Sequence, residues 1–550
     1  MIKKLTPYIS KYKLYAILCP IAIIGEVLLE IRIPLLMSKI VDIGIQNQDI
    51  GYVVRTGVTM VLMAILALAC GALAALFSAK ASVGFGTELR RAEFNKIQEF
   101  SFSNINKFST PSLVTRLTTD VMNTQNAFMM IIRILVRAPL MLVSATIVAL
   151  TINRSLVTVF LIAIPVLAVG LFIIASAAFP RFTALLKKYD SLNSSVQENL
   201  ISMRVIKAFV RSDYEKSRFK EANDGLMNAS IRAEKVVIFN MPLMQLTIYS
   251  CIIAILWFGG NKILSGTMQT GELISFITYV TQILISLMMI SMVFINIVLS
   301  RASVSRIVEI LDEEIDITDE NSNKNLQVAN GSVEFKNVSF KYNSEAEDSV
   351  LENINLTINS GETIGIIGGT GSSKSTLVQL IPRLYDVTEG EILVAGHNVK
   401  EYSLRTLRDA VSMVLQKNVL FSGTIRDNLK WGNENATEEE IIEACKAAQA
   451  HDFVTSFPDG YDTDLGQGGV NVSGGQKQRL TIARALLKKP KILILDDSTS
   501  AVDTATESKI REAFRNTFQN VTKIIIAQRI TSVSDAEKIL VLDDGSINGI

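Results

Sequence analysis

The sequence predicts an α-helical transmembrane domain of six spans, with long helical extensions on one side, fused to an α/β nucleotide-binding domain of the P-loop kind. Three observations predict it. Six long apolar runs occupy the N-terminal part of the chain, strand and helix patterns alternate after residue 330, and a glycine-rich loop joins a strand to a helix at 363–376. With 550 residues the chain is too long for one compact domain. Mean hydropathy is +0.33 and only 19% of residues are charged, so a large apolar block is averaged with a more polar one. The formal net charge of +1 gives no support for nucleic acid as a partner.

The apolar runs cover roughly 14–37, 53–77, 128–150, 156–179, 236–264 and 272–299. Each is long enough to cross a bilayer, which takes about 20 residues. A buried helix of a soluble core is the alternative for one or two runs, but not for six. Lys3, Lys4, Lys11 and Lys13 precede the first run, which is too long for a signal-peptide core and reads as a retained helix. The connection 38–52 holds one basic residue, Lys39. Those after the second and fourth runs are long and basic, with Arg90, Arg91, Lys96, Lys107 and Arg116 in one and Arg181, Lys187, Lys188, Arg204 and Arg211 in the other. The positive-inside rule puts these loops and the N-terminus in the cytoplasm, and six spans return the chain there, where ATP is. Glu26, Glu30, Arg32, Arg133 and Arg137 fall inside the runs. Such groups line a transport path, pair with one another, or snorkel to the interface, and Glu30 and Arg32 lie near the outer end. Cys19, Cys70, Cys251 and Cys445 show no metal or disulfide spacing and read as small buried hydrophobes.

The membrane domain is expected over 1–311, an Asn/Asp-rich linker over 312–330, and the nucleotide-binding domain over 331–550. The strand 363–367 leads into Gly368, Gly369, Thr370, Gly371, Ser372, Ser373, Lys374, Ser375 and Thr376. Backbone N–H groups of such a loop and of the following helix attract phosphate. Lys374 is placed to reach the β- and γ-phosphates of ATP, and the Ser375 hydroxyl to ligate Mg²⁺. The general pattern has glycine where this chain has Ser373. Serine is tolerable there at negative φ and strained at positive φ. The apolar strand 492–496 ends in Asp496, as expected for a Mg²⁺-side carboxylate.

A phosphate loop alone says only that a nucleotide binds. Together with Val472-Ser473-Gly474-Gly475-Gln476, then Lys477-Gln478-Arg479, and with Asp496-Asp497 closing the strand, it resembles the ATP-binding cassette of ABC transporters, and the six fused spans resemble their exporter-type half-transporters. The resemblance covers essentially the whole chain. Thr110–Val121 resembles the first intracellular loop of that family and Val196–Glu215 the second, with short coupling helices implied near 102–107 and 211–215. It implies ATP stacking on Tyr342, Mg²⁺ contact at Gln416, a D-loop at Asp503, and a signature, Ser473 to Gln476, that caps the ATP of an opposite cassette.

Two positions depart from the family. Asp497 stands where the catalytic base Glu is expected, and Gln528 where a γ-phosphate-contacting His is expected. A carboxylate one methylene short positions water poorly, and Gln carries no proton. With Ser373 as a third departure, the resemblance implies a slow ATP site on this chain beside a near-intact signature, hence a heterodimer with a second half-transporter. A nucleotide-sensing regulatory subunit and a homodimeric exporter with weak ATPase are the alternatives. The transported substrate is not identified. The family's helical tail after Gly545 is expected and missing here, and the short domain plan suggests a bacterial cell membrane.

Overall fold

The computed structural model describes residues 2–320, 322–343 and 348–550. The chain divides into two compact units, Met1–Gln98 with Pro111–Asp312, and Glu99–Thr110 with Glu313–Ile550.

Among the described residues, six helices are long and apolar enough to cross a membrane: Thr6–Ile45, Ile50–Glu99, Thr110–Ile152, Arg154–Ile201, Ser212–Leu264 and Thr270–Asp312. Each contains one of the six expected runs. Ile50–Glu99 is a helix of 50 residues, about 75 Å at 1.5 Å per residue. A hydrocarbon core is only about 30 Å thick, so such a helix crosses and extends well beyond it. The third and fourth spans meet at Asn153, whose side chain accepts from the N–H groups of Ser155 (3.1 Å) and Leu156 (3.3 Å) and so starts the next helix. The sixth helix is tied to the first by Tyr279, whose hydroxyl donates to the Ile31 carbonyl at 2.6 Å, and by Ser275, which donates to Pro34 at 2.5 Å. Outward faces carry exposed Leu, Ile, Val and Phe, as lipid contact requires. Arg137 is neutralised by Glu30 at 2.7 Å and Glu26 at 3.3 Å, so these three intramembrane charges form an ion cluster.

The second unit holds twelve strands among the described residues. They are β1 (Val333–Phe340), β2 (Leu351–Ile358), β3 (Thr363–Ile367), β4 (Glu389–Val394), β5 (His397–Asn398), β6 (Val411–Val414), β7 (Gly423–Thr424), β8 (Asp464–Leu465), β9 (Ile492–Asp496), β10 (Thr522–Ile526), β11 (Lys538–Asp543) and β12 (Ser546–Gly549). One sheet runs β12-β11-β3-β10-β9-β6, and a second runs β2-β1-β4-β5. In the first, β11, β3, β10, β9 and β6 are mutually parallel, and β12 is antiparallel at the edge. β9 and β10 are buried at every residue, which explains their unbroken apolar runs. One core fills the space between the two sheets. Another lies between the parallel sheet and the helices of 425–514.

The segment 99–110 belongs to this unit. Its helix, Phe102–Lys107, begins at a capping box in which Ser101 and Asn104 exchange backbone-to-side-chain bonds. Asn104 donates to Glu313 (3.1 Å) and the Glu314 carbonyl (2.9 Å), Asn106 donates to the Tyr385 hydroxyl (3.0 Å), and the Phe102 ring lies 5.9 Å from that of Tyr385. The expected second short helix differs. Residues 211–215 open the long helix Ser212–Val237, and the separate short helix is Met203–Ala208.

Candidate functional site

Parallel pairing gathers the site. β9 and β10 run in register to Ile526 opposite Asp496, and β10 and β3 to Ile526 opposite Ile366. Gly368, Asp497 and Gln528, each just past a strand end, therefore meet at one carboxyl edge of the sheet, where ligands of open α/β folds bind.

The loop turns through Gly368 (φ 159°) and Gly371 (φ 88°), and a Cβ at Gly368 would lie 2.1 Å from the Leu542 carbonyl. Lys374 donates to the carbonyls of Gly368 (2.9 Å) and Gly369 (2.6 Å) and to the Ser372 hydroxyl (3.0 Å), so its ammonium lies against the loop. Burial pushes Lys374 below its ordinary value, while Asp496 and Asp497 pull it up. Ser373 precedes the helix Lys374–Gln379 with φ 68° and ψ 20°, the left-handed region, and makes no capping bond. The strained alternative is thus the one realised.

Ser375 donates to Asp496 at 2.9 Å. Asp496 is buried, and burial pushes its carboxyl upward against the Ser375 hydrogen bond. Asp497 is also buried and left-handed, with φ 48°. Its Oδ2 accepts from Gln528 Nε2 at 2.8 Å and from Gln416 Nε2 at 3.5 Å, and its N–H donates to the Ile526 carbonyl at 3.0 Å. Five of the expected residues thus form one polar cluster. Ser375, Asp496 and Gln416 offer a hydroxyl, a carboxylate and an amide oxygen, the hard-oxygen set that Mg²⁺ takes beside phosphate oxygens. No group of three or more His, Cys, Asp or Glu is placed to hold a metal among the described residues. Tyr342 joins the loop from the other sheet, its hydroxyl 2.9 Å from that of Thr376.

The signature lies elsewhere on the unit. Ser473 caps the helix Gly474–Leu487 in a box with Gln476, and Ser473 and Gly474 are exposed. Gly475 is required by close approach, since a Cβ there would lie 2.7 Å from the Ala501 carbonyl. Asp503 caps the helix Thr504–Thr517 through the Thr506 N–H at 2.9 Å, and that bond holds its carboxyl below the ordinary value.

Three positioning residues escape sequence reasoning. Gln478, buried, accepts from the Ala501 N–H (3.0 Å) and so ties the signature helix to the segment before Asp503. Its signal was a polar residue on the buried side of that helix. Asn418 accepts from Thr481 at 2.5 Å and joins the chain after Gln416 to the same helix. Tyr385, 5.1 Å from the Tyr342 ring, stands between that ring and segment 99–110, and no local pattern marks it.

Comparison with known proteins adds the family. A profile described as the ABC transporter transmembrane region matches residues 16–304, and one described as ABC transporter matches residues 351–500. An uncharacterised ABC transporter ATP-binding protein of Bacillus subtilis, YfiB, is 40% identical over 99% of this chain and 94% of its own length. A Mycobacterium tuberculosis protein of the same description is 38% identical over 95% and 90%. The ATP-dependent lipid A-core flippase of Syntrophus aciditrophicus is 34% identical over 84% and 76%.

Proposed function

The chain belongs to the ABC transporters, as an exporter-type half-transporter with six membrane spans and one cassette, and from that premise we propose that it is the slow-site subunit of a heterodimer. The family drives transport with ATP, normally with Mg²⁺, and a chain of this plan is a multi-pass membrane protein. The observation that carries the finer reading is the 2.8 Å hydrogen bond from Gln528 to Asp497. It ties the short carboxylate to an amide that cannot carry a proton, in the place where the hydrolytic base and its γ-phosphate partner are expected.

In this reading ATP stacks on Tyr342 with its phosphates on Gly368 to Thr376 and under Lys374. Bound Mg²⁺ supplies charge neutralisation of the phosphates, and Ser375, Asp496 and Gln416 hold it. Asp497 retains negative charge but sits too short to orient water well, a misplacement that costs about 10²-fold. The stretch Ser473 to Gln476, exposed at Ser473 and Gly474 and preorganised by its capping box, caps ATP in the partner's competent site. ATP held at the slow site keeps the two cassettes in contact while the other site cycles, and the coupling helices relay each opening to the spans.

Co-expression with candidate partner half-transporters tests this. ATPase is compared between Glu→Gln at the partner's catalytic base and Asp497→Asn here. Loss confined to the partner's substitution is expected. Equal loss in both would make Asp497 a competent base and remove the reading.

A further inference from the structure

Glu93 lies on the second helix, about 24 Å of helix beyond the apolar run 53–77. That places it outside the hydrocarbon, on the side that the basic connections assign to the cytoplasm. Here the N-terminal turn Thr6–Tyr12 packs with the second, third and sixth helices of the first unit, around Leu5, Phe85, Leu89, Val121 and Ile307. Glu93 is 0% exposed, and neither carboxyl oxygen has a hydrogen-bond partner among the described residues. The charged groups around it are engaged with others. On the third helix, Arg116 donates to the Arg306 carbonyl at 2.7 Å and pairs with Glu309 at 2.8 Å. Asp120, equally buried, accepts from Arg306 of the sixth helix at 2.6 and 2.5 Å. Arg90, on the same helix as Glu93, donates to the Leu117 carbonyl at 3.0 Å. The N-terminal turn presents the Tyr8 hydroxyl, on which the Glu93 and Asp312 charges act, and Asp312 pairs with Lys4 at 2.6 Å. Arg116 and Asp120 stand at the two ends of a π-helical turn, an irregularity that recurs at functional sites.

A buried carboxylate with neither water nor a donor is far costlier ionised than neutral. Burial, with the Asp120 charge beside it, pushes the Glu93 carboxyl up to about 8, against the pull of Arg116 and Arg90. We propose that Glu93 is a proton-binding site on the cytoplasmic side of the membrane unit, and that its proton locks the N-terminal turn onto the second, third and sixth helices. Losing the proton leaves a bare anion beside Asp120. The junction must then admit water, or Arg116 must leave Glu309 for Glu93, and either change loosens the packing of these four segments. The raised carboxyl favours the closed junction fully below its ordinary value of 4.5, and that advantage is lost as pH rises through about 8. The ligand is the proton itself, so the junction reads cytoplasmic pH. The inference needs the family's membrane placement and not the slow ATP site.

The test uses the full chain, purified in detergent, and follows amide hydrogen exchange over residues 5–12 by mass spectrometry. Glu93→Gln keeps the shape of the neutral acid and cannot ionise. Dividing the wild-type rate by the Glu93→Gln rate at each pH cancels the intrinsic pH dependence of exchange. The ratio is expected to rise about tenfold per pH unit between pH 6 and 8 and to level off above. Glu93→Asp, still titratable, should also gain on Glu93→Gln as pH rises. A second readout needs no glutamine variant: in the wild type, an infrared band of a protonated carboxyl should fade between pH 7 and 9, and Glu93→Asp should shift it. A ratio that stays flat from pH 6 to 8 overturns the proposal. So does a spectrum with no such band at pH 6, or one that Glu93→Asp leaves unmoved.

Discussion

Replacing Ser373 by glycine removes a Cβ from a residue held at φ 68° and ψ 20°. A non-glycine residue in the left-handed region costs about 1–2 kcal/mol. Glycine gives back about 0.5–1 kcal/mol through the extra freedom of the unfolded chain. The balance is a net stabilisation of about 0.5–1 kcal/mol. For a domain of 150–250 residues, 1 kcal/mol corresponds to about 2–4 °C, so the cassette transition of the full chain should move up by about 1–4 °C in scanning calorimetry. The Ser373 side chain makes no capping bond. Ser373→Ala keeps the Cβ and loses only the hydroxyl, so it should melt with the wild type. Nucleotide affinity should change little in Ser373→Gly, because the same turn is needed with and without nucleotide. A glycine variant that melts at or below the wild type would refute the strain argument, and one that ties with Ser373→Ala would show that the Cβ is not the source.

Asp497→Glu combined with Gln528→His lengthens the carboxylate and replaces the amide bonded to it by a group that carries a proton; the ATPase rate assigned to this site should rise about 10- to 100-fold, and a change under twofold speaks against a slow site of this origin. Tyr385→Ala removes the hydroxyl partner of Asn106 and the ring beside Phe102; at about 2 kcal/mol for a half-buried aromatic, amide exchange across 99–110 should quicken about thirtyfold while β9 exchange is unchanged. Tyr385→Phe should show a smaller effect, about 1 kcal/mol for one hydrogen bond. Burial pushes the Cys445 thiol up to about 12. That shift favours the folded state below the ordinary value of 9.0, an advantage lost as pH rises toward 12. Held that high, the folded thiol stays protonated between pH 7 and 9, so at any one pH alkylation of Cys445 should scale with the unfolded fraction set by urea; quick labelling of the native protein would contradict the burial.

The parts that could be derived from residue order alone are those carried by local patterns. Runs of apolar residues longer than a bilayer needs declare the spans, because no soluble core calls for six of them. Glycines before a lysine and serine declare the phosphate loop, because only that backbone can wrap phosphate between a strand and a helix. Ser473 and Gln476 stand three residues apart and pair in a capping box across one helical turn. Tertiary structure decided what depends on pairing over long separations. That Gln528 meets Asp497 follows from the β9–β10 register, which no local spacing encodes. That Arg137 is neutralised by Glu26 and Glu30 follows from how the first and third helices pack. Tyr385 stands between segment 99–110 and Tyr342 only because elements nearly three hundred residues apart fold into one unit. Even the conformation of Ser373 stayed open in the residue order, which allows either sign of φ. The three-dimensional structure settles it: between β3 and the helix that follows, Ser373 is left-handed, with φ 68°.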